Sequence, residues 1–526
     1  MNNFDRREFL FLSGLAAAGT FAPGTSAAQK LDLSEKTVAE LSATMAKGQL
    51  TSEAITNWYL ARIRSVDPKI NSIIELNPDA VAIARQRDRE RLQRNVKGPL
   101  HGIPILIKDN IDTADKMKTT AGSLALVDAP RPAKDAFIVQ RLREAGAVLL
   151  GKTNLSEWAN FRDGSSISGW SGRGGQTRNP YVLDRNPCGS SSGTGSAVAA
   201  NLAAIGIGTE TDGSIVCPSS ICGIVGLKPT VGAISRSGII PISASQDTAG
   251  PMVRTVADAA ILMDVLDEAD PSDPATTAHG KRRERVSYTT ALIKDGLRGA
   301  RIGVARDSWG RSLELDRVLN SALESMKAAG AVLVDVRFPN RDKFGDAEFV
   351  LLQYEFKDGL QKYLRARAGR YKTLDDLIKF NNENAAREMP YFKQSTFESS
   401  AKLGPLTDKA YLDAVETCRK YAREEGIDEA MEKNKLDAIV VPSNAPTWLI
   451  DTVNGDCFGS YIGSSSMPAV AGYPNITVPA GFLRGLPIGI SFFGKAFSEH
   501  TLIKLAYGFE QATKARRVPK FLPTAV

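Results

Sequence analysis

Residues 186–230 read NPCGSSSGTGSAVAANLAAIGIGTETDGSIVCPSSICGIVGLKPT. The stretch is rich in glycine and serine, but it lacks the polar, repetitive make-up of a flexible linker. Glycine turns alternate with apolar runs, and residues 197–207 predict a buried helix leading into a strand. Ser190 stands at the first glycine turn and Ser214 at the second, 24 positions later. Such turns bring backbone N–H groups and hydroxyls to one surface, which is what acyl transfer requires.

On the amino-terminal side, residues 34–48, 52–65 and 79–93 predict helices. In the second, Ser52 is the expected N-cap and Asp67-Pro68 the stop. HGIPILIKD at 101–109 predicts a short apolar strand ending in Lys108; a helix at 137–145 and a strand at 147–150 follow. On the carboxy-terminal side, 256–266 predicts a helix and 268–298 a long surface connection. Strands at 301–305 and 332–336 flank a helix at 313–329. Residues 345–435 predict a mostly helical, cap-like region. A strand at 436–441, sheet at 464–478 and 487–493, and a helix at 500–513 close the chain. This alternation predicts an α/β fold with helices on both faces of a central mixed β-sheet.

At 526 residues the chain can bury a large core. Its net charge of +7 is spread over 66 basic and 59 acidic residues, and the densest basic cluster is KRRER at 281–285. Nucleic-acid binding calls for basic residues gathered around a recognition motif, so this cluster reads as a solvated loop. No solenoid repeat, Walker loop or dinucleotide fingerprint occurs. The five cysteines, Cys188, Cys217, Cys222, Cys418 and Cys457, are odd in number and sparse, so they imply no disulfide framework. Cys217 and Cys222 have no zinc-ribbon spacing and no nearby histidine; both read as small buried thiols, and no metal site is expected.

The first 30 residues read MNNFDRREFLFLSGLAAAGTFAPGTSAAQK. Arg6-Arg7 precede Phe9-Leu10, and the apolar stretch through Ala22 is too short to span a membrane. Ser26-Ala27-Ala28 supplies small residues for cleavage. Residues 1–28 therefore look like a twin-arginine-type signal peptide, implying a periplasmic or secreted mature chain with no stable membrane anchor.

Gly189-Ser190-Ser191-Ser192-Gly193 fits the G-x-S-x-G nucleophile elbow, with Ser191 as nucleophile. That arrangement needs a histidine base, and the chain has only His101, His279 and His500. A lysine base removes the shortage. An ordinary lysine, with a pKa near ~10.4, holds its proton at neutral pH, but burial disfavours the ammonium and lowers that value. Lys108 follows Ile103, Ile105, Leu106 and Ile107 at the mouth of a strand expected to be buried. Gly213 directly precedes Ser214, and consecutive N–H groups in such a turn can converge on an oxyanion.

Together these motifs resemble the amidase signature family over nearly all of residues 29–526. Gly102-Ile103-Pro104 with Lys108-Asp109 matches its lysine motif, and Gly189-Ser190-Ser191 its first serine motif. Gly208–Ser214, Cys222-Gly223 and Gly226–Thr230 match the signature itself. Asp212 stands where the family more often has glycine, and Glu210 where it often has aspartate. The resemblance implies a single amidase-signature domain and a Ser–cis-Ser–Lys triad of Ser214, Ser190 and Lys108, working through an acyl-enzyme. It implies an oxyanion hole from the N–H groups of Thr211, Asp212, Gly213 and Ser214, with Ser191 supporting Ser190 by hydrogen bonding. No metal or organic cofactor is implied.

Residues 151–162, 166–181, 245–252 (SQDTAGPM) and 449–459 resemble the bacterial peptide amidases within that family. They imply release of ammonia from the carboxy-terminal amide of peptides. An aliphatic, aryl or fatty-acid amidase would carry the same triad. A transamidating subunit for misacylated tRNA works in the cytoplasm, against which the export signal speaks. A binding protein on this scaffold would tolerate loss of Lys108, Ser190 or Ser214, and all three are present.

Overall fold

A computed structural model describes residues 31–280, 286–310, 312–457 and 463–525. The expected signal peptide and the 281–285 cluster lie outside the described residues. Among the described residues the strands and helices lie within Glu35–Val526. Thirteen strands form among the described residues, taken in chain order. They are β1 (Ile73–Leu76), β2 (Pro104–Lys108), β3 (Val148–Thr153), β4 (Trp170–Ser171), β5 (Gly175–Gln176), β6 (Ile205–Glu210) and β7 (Val225–Lys228). Then come β8 (Thr248–Val253), β9 (Arg301–Ala305), β10 (Val332–Val336), β11 (Ala438–Pro442), β12 (Asn475–Leu483) and β13 (Leu486–Phe493).

Eleven of them make one sheet in the order β1-β3-β2-β6-β8-β7-β12-β13-β11-β9-β10, while β4 and β5 pair separately. Pairs β2–β3, β2–β6, β11–β9 and β9–β10 are parallel and the others antiparallel, so the sheet is mixed. Every residue of β2, β3, β6, β7, β8, β11 and β13 is buried. Strands covered on both faces read as continuous apolar runs rather than alternating ones, as PILIK of β2 does. Between Gly345 and Asn434 every element is helical, and Leu351, Phe356, Leu360 and Phe397 pack there with Phe161 and Ile242. No described helix is long and apolar enough to cross a membrane.

Several local expectations are corrected. Thr51, not Ser52, caps the second helix: its hydroxyl accepts from Ala54 N at 3.0 Å, while Ser52 Oγ donates to Gly102 O at 2.8 Å. That helix runs through Pro68 to Ile70. Proline removes one amide from the ladder but, this near the end, does not stop the turn; Asn71, at φ 51°, closes it onto Asp67 O. Residues 464–478 are not all sheet: Ser466–Ala471 is helical until Gly472, at φ 69°, reverses the chain into β12. The 268–298 connection contains a helix at Pro274–Gly280 and a 3₁₀ turn at Tyr288–Ala291. Strand β8 went unread because Gly250 and Pro251 sit in its middle, residues that usually mark an edge or a bulge.

Candidate active site

Lys108 ends β2, and β6 lies beside it in parallel. The turn after β6 carries Ser214, and the turn before helix Ser192–Ala199 carries Ser190. That helix packs on β2, β3, β6 and β8, so glycines are needed where it meets the sheet. A side-chain carbon at Gly193 would stand 2.4 Å from the carbonyl oxygens of Asn154 and Ser72. The close approach brings the two turns together.

Lys108 Nζ donates to Ser190 Oγ at 2.8 Å, and Ser190 Oγ donates to Ser214 Oγ at 2.9 Å. The Gly189–Ser190 peptide bond is cis. Lys108 and Ser190 are fully buried and Ser214 is 8% exposed, so the row of three polar groups meets solvent at its Ser214 end. Burial lowers the Lys108 ammonium to about 7, against the opposing pull of the Asp247 and Glu210 carboxylates. A buried amine of this kind exchanges its proton near neutrality.

The two remaining hydrogens of Lys108 go to Thr209 Oγ1 at 2.9 Å and Thr209 O at 3.2 Å. Asn110 Nδ2 also donates to Thr209 Oγ1, at 2.9 Å. Ser191 does not bond to Ser190 as expected. Its hydroxyl donates to Thr209 O at 3.1 Å and accepts from Thr209 N at 3.2 Å, and its amide donates to Ser214 O. It ties the first serine turn to the end of β6 rather than touching the neighbouring hydroxyl. His101 Nε2 bonds to Arg87 O and His500 Nε2 to Thr290 Oγ1, so neither stands beside Ser191 as an elbow histidine would.

Gly213 adopts φ 79°, a left-handed conformation that glycine takes without a Cβ clash. Among the described residues no protein acceptor takes the N–H of Asp212, Gly213 or Ser214. Glu210 Oε2 accepts from Ile215 N at 2.7 Å and Val216 N at 2.9 Å, pinning the far side of the turn. The departure at 210 therefore keeps a carboxylate with a backbone-holding task. Asp212 turns toward Ser465 and Ser466; burial raises its carboxyl. A cavity of about 430 Å³ lies over Ser214, with Phe161, Ile242, Leu352 and Trp448 among its apolar walls and Asn160 and Asn444 among its polar ones.

One covalent link was not foreseen. Cys188 and Cys217 form a disulfide, so Cys217 is no free thiol, whereas Cys222 is free and buried. Counting and spacing along the chain could not reveal it, because the pairing depends on the two serine turns meeting in space. Among the described residues no group of three His, Cys, Asp or Glu side chains could hold a metal ion.

The "Amidase" family model matches residues 54–503. The chain is 40% identical over 500 residues to a probable amidase of Arabidopsis thaliana, covering 93% of this chain and 92% of that protein. It is 32% identical to a glutamyl-tRNA(Gln) amidotransferase subunit of Thermoanaerobacter pseudethanolicus, covering 93% of this chain and 99% of that one. Among solved structures it superposes on a peptide amidase in complex with the competitive inhibitor chymostatin, with TM-score 0.90 and 51% identity over 93% of this chain and 99% of that one. The chain belongs to the amidase family, and its single amidase domain is built on the eleven-stranded mixed sheet. It is an amidase, a hydrolase of amide C–N bonds.

Proposed function

We propose that the protein hydrolyses carboxamides through a Ser–cis-Ser–Lys relay and that its substrates are the carboxy-terminal amides of peptides, which it converts to free acids with release of ammonia. One observation carries the relay. The row from Lys108 Nζ through Ser190 Oγ to Ser214 Oγ is unbroken, at 2.8 and 2.9 Å, and its inner end is an amine near 7.

Neutral Lys108 accepts a proton from Ser190 while Ser190 accepts one from Ser214. Ser214 Oγ bonds to the amide carbon, and the carbonyl oxygen takes up the charge facing the N–H groups of Thr211, Asp212, Gly213 and Ser214. The relay then runs backwards and protonates the nitrogen, the C–N bond breaks, and ammonia leaves. Water repeats the sequence on the Ser214 ester, releasing the acid and restoring the hydroxyl. Ser191 supports the relay by fixing Thr209, which takes two of the lysine's hydrogen bonds.

The peptide reading is supported by the likeness to the peptide amidase and by a cavity over Ser214 that offers both apolar walls and the polar groups of Asn160 and Asn444. We also infer export by a twin-arginine-type signal at residues 1–28, supported by Arg6-Arg7 and the small residues before Gln29.

Ammonia release is to be measured across amidated peptides, simple aliphatic and aryl amides, and fatty-acid amides. Peptide amides are expected to give the highest kcat/KM; preference for the small amides refutes the substrate reading. Ser214→Ala should lose at least ~10⁴-fold in kcat with the fold intact. Near-normal turnover there removes the proposed nucleophile.

A further inference from the structure

The SQDTAGPM stretch supplies no part of the relay, yet two of its residues grip Thr211. Asp247 Oδ1 accepts from the Thr211 hydroxyl at 2.6 Å. Its other oxygen accepts from the backbone N–H groups of Ile242 at 2.8 Å and Ser243 at 2.9 Å. Gln246 Nε2 donates to the Thr211 carbonyl at 3.2 Å and to Glu348 Oε1 at 2.9 Å. Thr211 is thus held at hydroxyl and carbonyl, between the end of β6 and the unengaged amides of Asp212, Gly213 and Ser214.

The turn that does the gripping is itself braced. Asp247 N donates to Ser243 O at 3.0 Å. Ser245 donates to Glu355 from its amide at 2.9 Å and its hydroxyl at 2.6 Å, and Ser243 Oγ donates to the same carboxylate. Glu348 and Glu355 stand two turns apart on helix Gly345–Ala366, so both face the turn. Contact therefore runs from that helix to residues 243–247, from there to Thr211, and so to the strand end that presents the amides.

We propose that Asp247 is a positioning residue for the oxyanion-binding amides, acting through Thr211 from a turn anchored on helix Gly345–Ala366. The proposal rests on the relay reading of the proposed function. With the hydroxyl of Thr211 fixed, the peptide planes beyond it are aimed before substrate arrives. Without that hold each misaimed donor forfeits transition-state stabilisation, a loss of about 10²- to 10³-fold in kcat when one is removed outright.

The charge of Asp247 gives a second, separable signal. The cations facing it are Arg236 and Lys108. The neighbouring acids are otherwise engaged: Asp273 by Arg236, Glu355 by Ser243, Ser245 and Tyr411, Glu348 by Gln246, and Glu210 by Ile215 and Val216. Burial raises Asp247 to about 6, so it is ionised at pH 7 to 8 and favours the charged form of Lys108. Removing that charge lets Lys108 give up its proton at lower pH, and the acidic limb of the rate profile should move the same way.

The test measures kcat, KM, the pH profile of kcat/KM and the thermal midpoint for Thr211→Val and Asp247→Asn, on whichever amide the wild-type enzyme hydrolyses best. Thr211→Val should lose roughly 10- to 100-fold in kcat, with KM within about threefold; losing the hydroxyl that lowers Asp247 raises that carboxyl, so the acidic limb moves down by less than in Asp247→Asn. Asp247→Asn should lose a similar factor and move the limb down by about half a pH unit. The proposal is overturned if Asp247→Asn keeps kcat within twofold of wild type, or loses activity only in proportion to its unfolded fraction with the limb unmoved. Should Asp247→Asn not fold, an unimpaired kcat in Thr211→Val overturns it alone. Ser214→Ala is run in parallel. Full turnover in that variant breaks the relay reading, whereas a dead Ser214→Ala beside an unimpaired Asp247→Asn breaks only the clamp.

Discussion

Lys108 and Lys152 sit on adjacent parallel strands, both fully buried, and they have opposite fates. Ile107 pairs with Lys152 and Lys108 with Thr153, so the two lysines project to opposite faces of the sheet. Burial depresses both amines. Lys152 donates to Ile111 O at 2.6 Å and Thr119 Oγ1 at 2.8 Å, and the Asp109, Asp112 and Asp115 carboxylates favour its charge. The Thr119 hydroxyl donates onward to Ile111 O at 3.4 Å, and a backbone carbonyl can only accept, so the proton path from Lys152 ends there. Lys108 instead meets Ser190 Oγ, a hydroxyl that can donate onward to Ser214. Desolvation supplies the lowered amine at both places, and where the facing hydroxyl leads, to a carbonyl or to a second hydroxyl, decides whether the amine can act as a base.

The sharpest way to break this comparison is to remove each amine. Lys108→Met should lose ~10³-fold or more in kcat, the order expected when a relay member is taken away. It should also unfold at a higher temperature. The folded Lys108 value lies below the ordinary one, so its contribution to stability is fully present above about pH 10 and is lost as pH falls toward 7. At or below 7 the buried amine costs on the order of 4 kcal/mol, which methionine does not. Lys152→Met should do the reverse. It strands buried carboxylates and should cost about 3 kcal/mol of stability, with turnover per folded molecule within about threefold of wild type. Denaturation curves with active-site titration separate the two, and equal catalytic losses would erase the distinction.

A second test needs no mutation. Because Lys108 must be neutral, kcat/KM should fall about tenfold per pH unit below about pH 7 and level off above it. A flat profile from pH 5 to 9 would show that no buried amine is being titrated.

The smallest expected effects come from the threonines beside each lysine. Thr209→Val removes a hydroxyl that Lys108 and Asn110 both use and should cost roughly 10-fold in kcat/KM. Thr119→Val leaves Lys152 its bond to Ile111 O and should lower stability by about 1 kcal/mol with turnover unchanged. Initial rates and melting temperatures of the pair give the comparison its finest grain.

The chemistry-bearing residues were legible in the sequence where reaction demands leave few choices. Two serines in glycine turns, a lysine ending an apolar strand and only three histidines made Lys108, Ser190 and Ser214 candidates, and the amidase-signature resemblance joined them into one triad; the structure brings them within hydrogen-bond reach. What escaped was everything set by pairing across distance. Strand β8 lies between β6 and β7, and no local pattern around Pro251 announces it. Ser191 was expected to bond to its neighbour, but the fold offers it Thr209, 18 positions away. Thr209 and Asn110 went unnoticed because a threonine and an asparagine beside a lysine have no signature until the strands are laid side by side.

The Cys188–Cys217 bond encloses both serines in one loop of chain, with Ser190 two residues inside one end and Ser214 three inside the other. Its two halves are only 2% and 6% exposed and both line the cavity over Ser214, so a reductant approaches the sulfurs through the space the substrate would fill. A molecule seated over Ser214 should therefore slow the reduction of this bond, which makes the disulfide a chemical reporter of whether the catalytic centre is filled.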